Sequence, residues 1–482
     1  PQQIILLYYT RKIEGVLELS KNRIEAYCYK RWAFIKDHAQ GSALYNRSMF
    51  GIPAAGGGLV LSLVEAAYLF VKGTINIIRI DSLIKVREKT SGVKEEQSSE
   101  HLPSDPLRAA SEIKGMSFKL GNAFSVLEFL RYCEDNEKNF HPLFCAYSDL
   151  KNIGAPCYLD QNISLPHPAY TERTIPVITA YKRASETKKS RKKMERDYLC
   201  IPLSEHEVVN PEWLFENAER ERCIIAVVDS DSDVTYYQLH NKYFCGSWPV
   251  PDIVPARLSG CQIGDTVYAQ SEKKEDQHLL EKYGFISRAH GCFVFSVFEK
   301  DYLSSLGIEF VECAPDFSKN VPILKSDLKS SDEYDKSGST SGCVSEGKTE
   351  EGDSPQYYAP QYYVQQVYNN LRARGLLPRT GFKYGTHFRA YEGHPDNEHA
   401  KYLVHVLLPY SRITWQDISR AVRLAHGVKK TIYFAFFKTP VSRMSDMNYI
   451  SGDAKATNTV EHPLKDSAAP QLCFFSLERF KP

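Results

Sequence analysis

The chain has 482 residues, with 60 Lys+Arg against 59 Asp+Glu and a formal net charge of +1. Hydrophobic residues at 43% and charged residues at 25% are ordinary for a folded chain and exclude a mainly disordered protein, a collagen-like repeat and a bundle of membrane helices. At roughly 100–200 residues per domain, the length predicts about three or four domains or two larger ones. With charge this balanced, any nucleic-acid partner has to be held by a local basic patch. Thirty Tyr and an aromatic content of 12% favour half-buried β surfaces, so much sheet is expected. Twelve Cys occur without a CxxC pair, which argues against a disulfide scaffold or a zinc ribbon and for reduced thiols in a cytoplasmic protein.

In chain order, Pro1–Leu7 lacks the charged start and small-residue cleavage site of a signal peptide. The apolar run Gly58–Phe70 is broken by Glu65 and too short to span a bilayer, so a buried helix is predicted there. A repeat follows from that run. Leu61-Ser-Leu-Val-Glu65-Ala-Ala-Tyr68-Leu69 is matched by Phe295-Ser-Val-Phe-Glu299-Lys-Asp-Tyr302-Leu303, with Gly73 and Gly307 five residues after the Tyr. A second match pairs Tyr147-Ser-Asp-Leu150 and Gly154 with Tyr368-Asn-Asn-Leu371 and Gly375. The same order and similar spacing predict two copies of one two-part module.

The expected fold class is α/β (α+β): two tandem copies of a small N-terminal α/β domain followed by a mixed-sheet domain. The expected boundaries are 1–112 and 113–240 for copy one, 241–325 and 357–482 for copy two, and a flexible linker at 326–356. Three segments are read as inserted and flexible because they hold too little apolar surface to offset ordering entropy. They are Glu88–Asp105, Lys182–Arg196 with eight Lys/Arg against two Glu, and Ser326–Gln356. The basic run is a candidate for RNA phosphate contact, or simply a solvated loop. Cys223–Leu239 reads as strand, acidic turn and strand, with Asp229, Asp231 and Asp233 in the turn. Thr431–Phe437 and Leu472–Leu477 read as the corresponding pair of copy two.

Gly381–Leu408 carries the densest chemistry. Phe382–Tyr391 and Ala400–Leu408 are strand candidates, with turn residues from Glu392 to Asn397 between them. A hairpin would bring Tyr391 and His399 close. A helix then starts at a Thr414 cap, with Asp417 three residues on, and buries Trp415, Ile418, Val422 and Ala425. Gly427 suits its left-handed C-terminal position, and Lys429 and Lys430 lead into the next strand. A His can act as general acid or base near neutral pH, and a Lys can stabilise a developing phosphorane. A Tyr can take a proton where its surroundings favour the phenolate. RNA brings its own nucleophile, the 2′-hydroxyl, so neither metal nor cofactor is required for its cleavage by such a trio.

The string Phe-Lys-Tyr-Gly-x-x-Phe-Arg-x-Tyr391, then His399-x-x-Tyr-Leu-Val, then Arg423 followed by Val-Lys-Lys430-Thr, resembles the catalytic domain of tRNA-splicing endonucleases. Leu44-Tyr45 through Gly51, with Leu61–Leu69, resembles their small N-terminal domain. The likeness is greatest to the archaeal fused form, in which a degenerate copy precedes a catalytic one and two chains form a homodimer. It implies precursor tRNA with a bulge-helix-bulge as substrate, Tyr391 as general base, His399 as general acid and Lys430 as the stabilising cation. It also implies a base clamp of two Arg, here Arg423 and Arg479, and an acidic dimer-docking loop, here Asp229, Asp231 and Asp233. Copy one lacks the catalytic string. Three rivals make different expectations: a non-catalytic RNA-binding subunit of such a complex, a metal-dependent nuclease built around His394–His405, and a structural RNA-binding protein.

Overall fold

The computed structural model describes residues 23–54, 57–88, 94–99, 116–166, 174–182, 195–218, 222–252, 254–255, 257–271, 273–287, 292–312, 360–409, 411–438 and 470–482. Copy one begins with β1 (Ile24–Tyr29), β2 (Trp32–Ile35), α1 (His38–Ser48), β3 (Ile52–Pro53), β4 (Leu59–Ser62), α2 (Leu63–Val71) and β5 (Ile75–Glu88). After β6 (Lys94–Ser99), β7 (Met116–Ala123), α3 (Val126–Asn136) and α4 (Phe140–Asn152) come β8 (Cys157–Pro166), β9 (Thr174–Tyr181), β10 (Arg196–Ser204), α5 (Pro211–Ala218), β11 (Cys223–Val228) and β12 (Val234–His240). Copy two opens with β13 (Arg257–Ile263), β14 (Thr266–Gln270), α6 (Lys274–Lys282), β15 (Ile286–Ser287), β16 (Cys292–Ser296), α7 (Val297–Ser305) and β17 (Glu309–Glu312). It closes with α8 (Pro360–Ala373), β18 (Leu377–Thr380), a 3₁₀ turn at Phe382–Tyr384, β19 (Phe388–Tyr391), β20 (Tyr402–Val406), α9 (Trp415–Gly427), β21 (Thr431–Lys438) and β22 (Gln471–Phe480).

The duplication holds atom for atom at the two matched helices. In α2, the Ser62 hydroxyl accepts from the Glu65 N–H at 3.2 Å and the Glu65 carboxylate accepts from the Ser62 N–H at 3.0 Å. In α7, Ser296 and Glu299 make the same reciprocal pair at 3.3 and 2.8 Å. Such a box satisfies two donors that every helix start leaves open. Both Glu are buried, and their free oxygens find different partners: the Gly51 N–H at 2.8 Å for Glu65, and the Arg379 guanidinium for Glu299. The matched tyrosines also meet edge to face, Tyr68 with Tyr147 at 6.0 Å and Tyr302 with Tyr368 at 5.7 Å. Gly154 and Gly375 follow their helices with φ of 73° and 70°, a conformation that favours glycine.

The chain folds as two compact units. Residues 1–243, 383–386 and 402–482 make the first, and residues 244–382 and 387–401 the second. In the first unit one sheet has the order β3-β4-β2-β1-β5, with β1 and β5 parallel, and β6 and β7 both pair with β5. The sheet β15-β16-β14-β13-β17 of the second unit repeats that order, with β13 and β17 parallel. The larger sheet of the first unit runs β20-β21-β22-β12-β11-β10-β9-β8. Here β10 and β11 are parallel, as are β20 and β21, and each pair is joined through a helix, as parallel neighbours require. The two halves meet where β12 pairs antiparallel with β22, with Tyr237 opposite Arg479 and Leu239 opposite Leu477. Beneath them Trp213, Leu214 and Tyr237 of copy one share a core with Trp415, Ile418 and Phe434 of copy two.

Two expectations are corrected. The run Gly58–Phe70 is not one helix: Leu59–Ser62 is a buried strand, and the helix begins only after the Ser62 cap. The segment Glu88–Asp105 is not without structure, because Lys94–Ser99 pairs with Leu83–Glu88. Backbone hydrogen bonding there needs no apolar side chain. Residues 183–194 and 326–356 lie outside the described residues, while Lys182 and Glu195, at the two ends of the basic run, form an ion pair of 2.6 Å. Among the described residues the cysteines are free thiols, and no helix is long and apolar enough to cross a membrane.

Removing a buried capping carboxylate leaves three donors on Gly51 and Ser62 without their acceptor. Glu65→Ala is expected to lower the unfolding free energy by about 2–4 kcal/mol, read from the urea midpoint.

Candidate active site

Tyr391 ends β19 and lies opposite Leu377 of β18. Its ring is buried with Leu377, Ala400 and Trp248 in a small apolar cluster. His399, the residue before Ala400, is exposed. The cluster therefore anchors both ends of the segment that carries the pair. Between them the backbone closes on itself: Asn397 and Glu398 donate to the His394 carbonyl at 3.0 and 3.1 Å, and Lys401 pairs with Glu392 at 2.9 Å. The Arg389 guanidinium sits 5.7 Å from the Tyr391 ring centre. The expected strand Phe382–Tyr391 is corrected to Phe388–Tyr391. Gly385, at φ 60°, breaks the extended run, and the preceding residues curl into a 3₁₀ turn. Similarly, Ala400–Leu408 is a strand only over Tyr402–Val406.

Lys430 belongs to the first unit. Its ammonium stands 5.8 Å from the ring centre of Tyr384. Helix α9 aims it. The Thr414–Asp417 capping box fixes the start, and hydrogen bonding from Thr414 holds the Asp417 carboxyl below the usual range. Trp415, Ile418, Val422 and Ala425 are buried as the spacing predicts. The end differs from expectation. Gly427 is still helical, and Lys429 takes the left-handed conformation at φ 55°. Lys429 N–H then bonds the His426 carbonyl at 3.1 Å and Lys430 N–H the Ala425 carbonyl at 2.9 Å, so a non-glycine residue carries the turn that orients Lys430.

Arg423 on α9 and Arg479 on β22 are both exposed, Arg479 lies opposite Tyr237 in the β12–β22 pairing, and the charges of both bear on the buried Tyr237 phenol. Burial raises the Tyr237 pKa, while the Ser419 hydroxyl and then the Arg423 and Arg479 charges oppose that rise. Two guanidiniums on neighbouring elements are of the kind that can flank a planar group.

The tip between β11 and β12 is closed by hydrogen bonds. One Asp229 carboxylate oxygen accepts from the N–H groups of Asp231 at 3.0 Å and Asp233 at 2.9 Å. Ser230 donates to Glu205 at 2.7 Å, and His141 lies 3.1 Å from the Ser232 hydroxyl. Burial raises the Asp229 pKa, against the two backbone donors. Asp229 thus organises the turn, and Asp231 and Asp233 stand out from it, exposed. Around His394–His405, His405 lies in β20 with its pKa lowered by burial, and among the described residues no group of three or more His, Cys, Asp or Glu is placed to hold a metal. Sequence reasoning missed Trp248 and Tyr384. Trp248 is one of four Trp in the chain, and that rarity is its only sequence signal; Tyr384 lies within the string that resembles the family, with no role implied for it.

Glycine at position 429 would relieve the left-handed strain and lose one helix-terminal charge. Lys429→Gly is expected to raise stability by about 0.5–1 kcal/mol, seen as a higher denaturant midpoint.

The family model for the catalytic C-terminal domain of tRNA intron endonuclease matches residues 364–443, which include Tyr391, His399, Arg423 and Lys430. The model for the N-terminal domain of tRNA intron endonuclease matches residues 24–89. The chain is similar to the tRNA-splicing endonuclease of Methanococcoides burtonii, 24% identical over 396 residues that cover 81% of this chain and 90% of the relative. It is also similar to that of Methanosarcina mazei, 27% identical over 82% of this chain and 90% of the relative. The tRNA-splicing endonuclease of Methanopyrus kandleri is 33% identical over 163 residues, 34% of this chain and 75% of the relative. With both domain models matched and such a relative covered over three quarters of its length, the chain belongs to the tRNA-splicing endonuclease family.

Proposed function

We propose that this chain cuts intron-containing precursor tRNA at both exon–intron junctions, reading a bulge-helix-bulge by shape. The observation that carries this reading is the closed turn that holds Tyr391 and His399 at its two ends, inside the segment that matches the catalytic domain. Tyr391 takes the proton of the 2′-hydroxyl at the junction. The 2′-oxygen attacks the adjacent phosphorus, and the bond from phosphorus to the 5′-oxygen breaks. His399 gives that leaving oxygen its proton, and Lys430 stabilises the charge that grows on the phosphorane. The products are a 2′,3′-cyclic phosphate and a 5′-hydroxyl. Every atom comes from the RNA, and every proton from the RNA or these side chains, so the step needs no metal. Arg423 and Arg479 would clamp a flipped bulge base; the placement of Arg479 opposite Tyr237 and the influence of both charges on that phenol support this. Copy one lacks the catalytic string, and its exposed Asp231 and Asp233 would dock into the basic cleft of a second chain, giving a homodimer with one active copy for each junction.

Incubation of the purified chain with precursor tRNA in excess EDTA tests this reading. Paired cuts with cyclic phosphate ends are expected. His399→Ala should slow them by about 10²–10⁴-fold, and Lys430→Ala by about 10²–10³-fold. Cleavage that appears only on adding a divalent ion would overturn the mechanism. Binding without cleavage under either condition would instead indicate a non-catalytic subunit.

A further inference from the structure

We infer that the segment joining the two copies is a strap that fixes the catalytic turn, with Trp248 as its positioning residue. Gly246 and Trp248 donate their backbone N–H groups to the carbonyls of Arg374 at 3.0 Å and Gly375 at 2.9 Å, just past the end of α8. Between those anchors Ser247 donates both its N–H and its hydroxyl to the Glu392 carbonyl, each at 3.0 Å. The Trp248 indole N–H donates to the Gly393 carbonyl at 2.8 Å. Three donors of the strap thus hold the two residues that directly follow Tyr391. The same indole packs against the cluster that Leu377 forms with Tyr391 and Ala400 and lies 5.6 Å from the His394 ring, so one side chain lies beside the cluster that anchors both ends of the turn and beside its middle.

The fit is close. A Cβ on Gly246 would come within 2.3 Å of the Gly375 carbonyl oxygen, and one on Gly375 within 2.7 Å of the Gly246 oxygen. A segment between independent copies has no need of such an approach, and free backbone carbonyls at a turn are ordinarily satisfied by water. Here they are taken by residues 145 positions away in sequence. Catalytic groups have to be held by surrounding packing and hydrogen bonds if they are to be aimed at a reacting atom. The strap supplies that hold to Tyr391 and, through Ala400, to His399, and Trp248 acts on the reaction only through them.

This inference rests on the cleavage reading, so its test has a second arm that is independent of cleavage. Trp248→Phe removes the indole donor and keeps most of the ring, and Ser247→Ala removes one hydroxyl donor. The full chain of each variant is compared with wild type in single-turnover cleavage, in binding of a precursor tRNA with 2′-deoxy junctions, in thermal midpoint, and in amide exchange over residues 392–401. Trp248→Phe is expected to slow cleavage by about tenfold, with binding of the deoxy RNA and the midpoint nearly unchanged and exchange in the turn faster. Ser247→Ala is expected to do the same more weakly. Unchanged exchange in both variants overturns the strap. Slower cleavage that only follows a lower midpoint or weaker RNA binding reduces Trp248 to a stability residue and overturns its positioning role. A wild-type chain that does not cut overturns the cleavage reading alone, and the exchange arm then decides the strap.

Discussion

The antiparallel pairing of β12 with β22 is the constraint on which the larger sheet depends. Each is the last strand of its copy, and each would otherwise present a row of unpaired backbone groups at a sheet edge. Joining them turns two half-sheets into one and buries Tyr237 beneath the junction. The loops ahead of α5 and α9 extend the contact, with Val209 donating to Ile413 at 2.8 Å and Gln416 to Glu205 at 2.8 Å. Glu205 also holds Ser230 of the acidic tip through its side chain. The pairing that sets Arg479 opposite Tyr237 is thus linked through a few bonds to the tip that carries Asp231 and Asp233. A shift of one residue in that pairing would turn Arg479 to the other face of the sheet.

Much of this was legible where chemistry is local. The Ser-x-x-Glu boxes mark both helix starts because side chain and backbone lie three residues apart. The acidic hairpin and the buried face of α9 follow from periods of two and 3.6. Sequence reasoning failed where a single φ decides. Gly427 was the natural choice for the left-handed end of α9, yet Gly427 is itself the last helical residue and Lys429 takes that conformation. Nothing in residue type reports that; the turn at Lys429 leads within two residues into β21, whose parallel register with β20 begins with Thr431 opposite Tyr402. Gly385 likewise bends a stretch that composition alone marks as strand. The strap was invisible for a different reason, since its partners are distant in sequence and its donors are mostly backbone.

The two copies keep the same physics with different charges. Four residues after Tyr147 stands Lys151, its ammonium 4.4 Å from the Phe50 ring centre and donating to the Ser48 carbonyl at 2.9 Å. Four residues after Tyr368 stands Arg372, its guanidinium 5.4 and 5.5 Å from Phe285 and Tyr302 and donating to the Tyr283 carbonyl at 3.0 Å. Each copy thus sets a cation on aromatic faces beside its capped helix, a contact that strengthens as water is withdrawn. Copy one uses a partly exposed Lys and a buried Glu65 that takes a neutral amide. Copy two buries its Arg372 almost completely and gives Glu299 a second cation, Arg379. A buried charge is tolerated only when its neighbours answer it; here two rings and the Tyr283 carbonyl face Arg372, whose Nε and Nη1 make no hydrogen bond, while Arg379 pairs with the Glu299 carboxylate. That denser network lies against α8, whose end carries the strap and leads into β18 under Tyr391. The copy that matches the family's catalytic domain is therefore also the one that buries a guanidinium and a carboxylate–guanidinium pair beside its helix, where copy one sets a partly exposed ammonium and a carboxylate on a backbone amide.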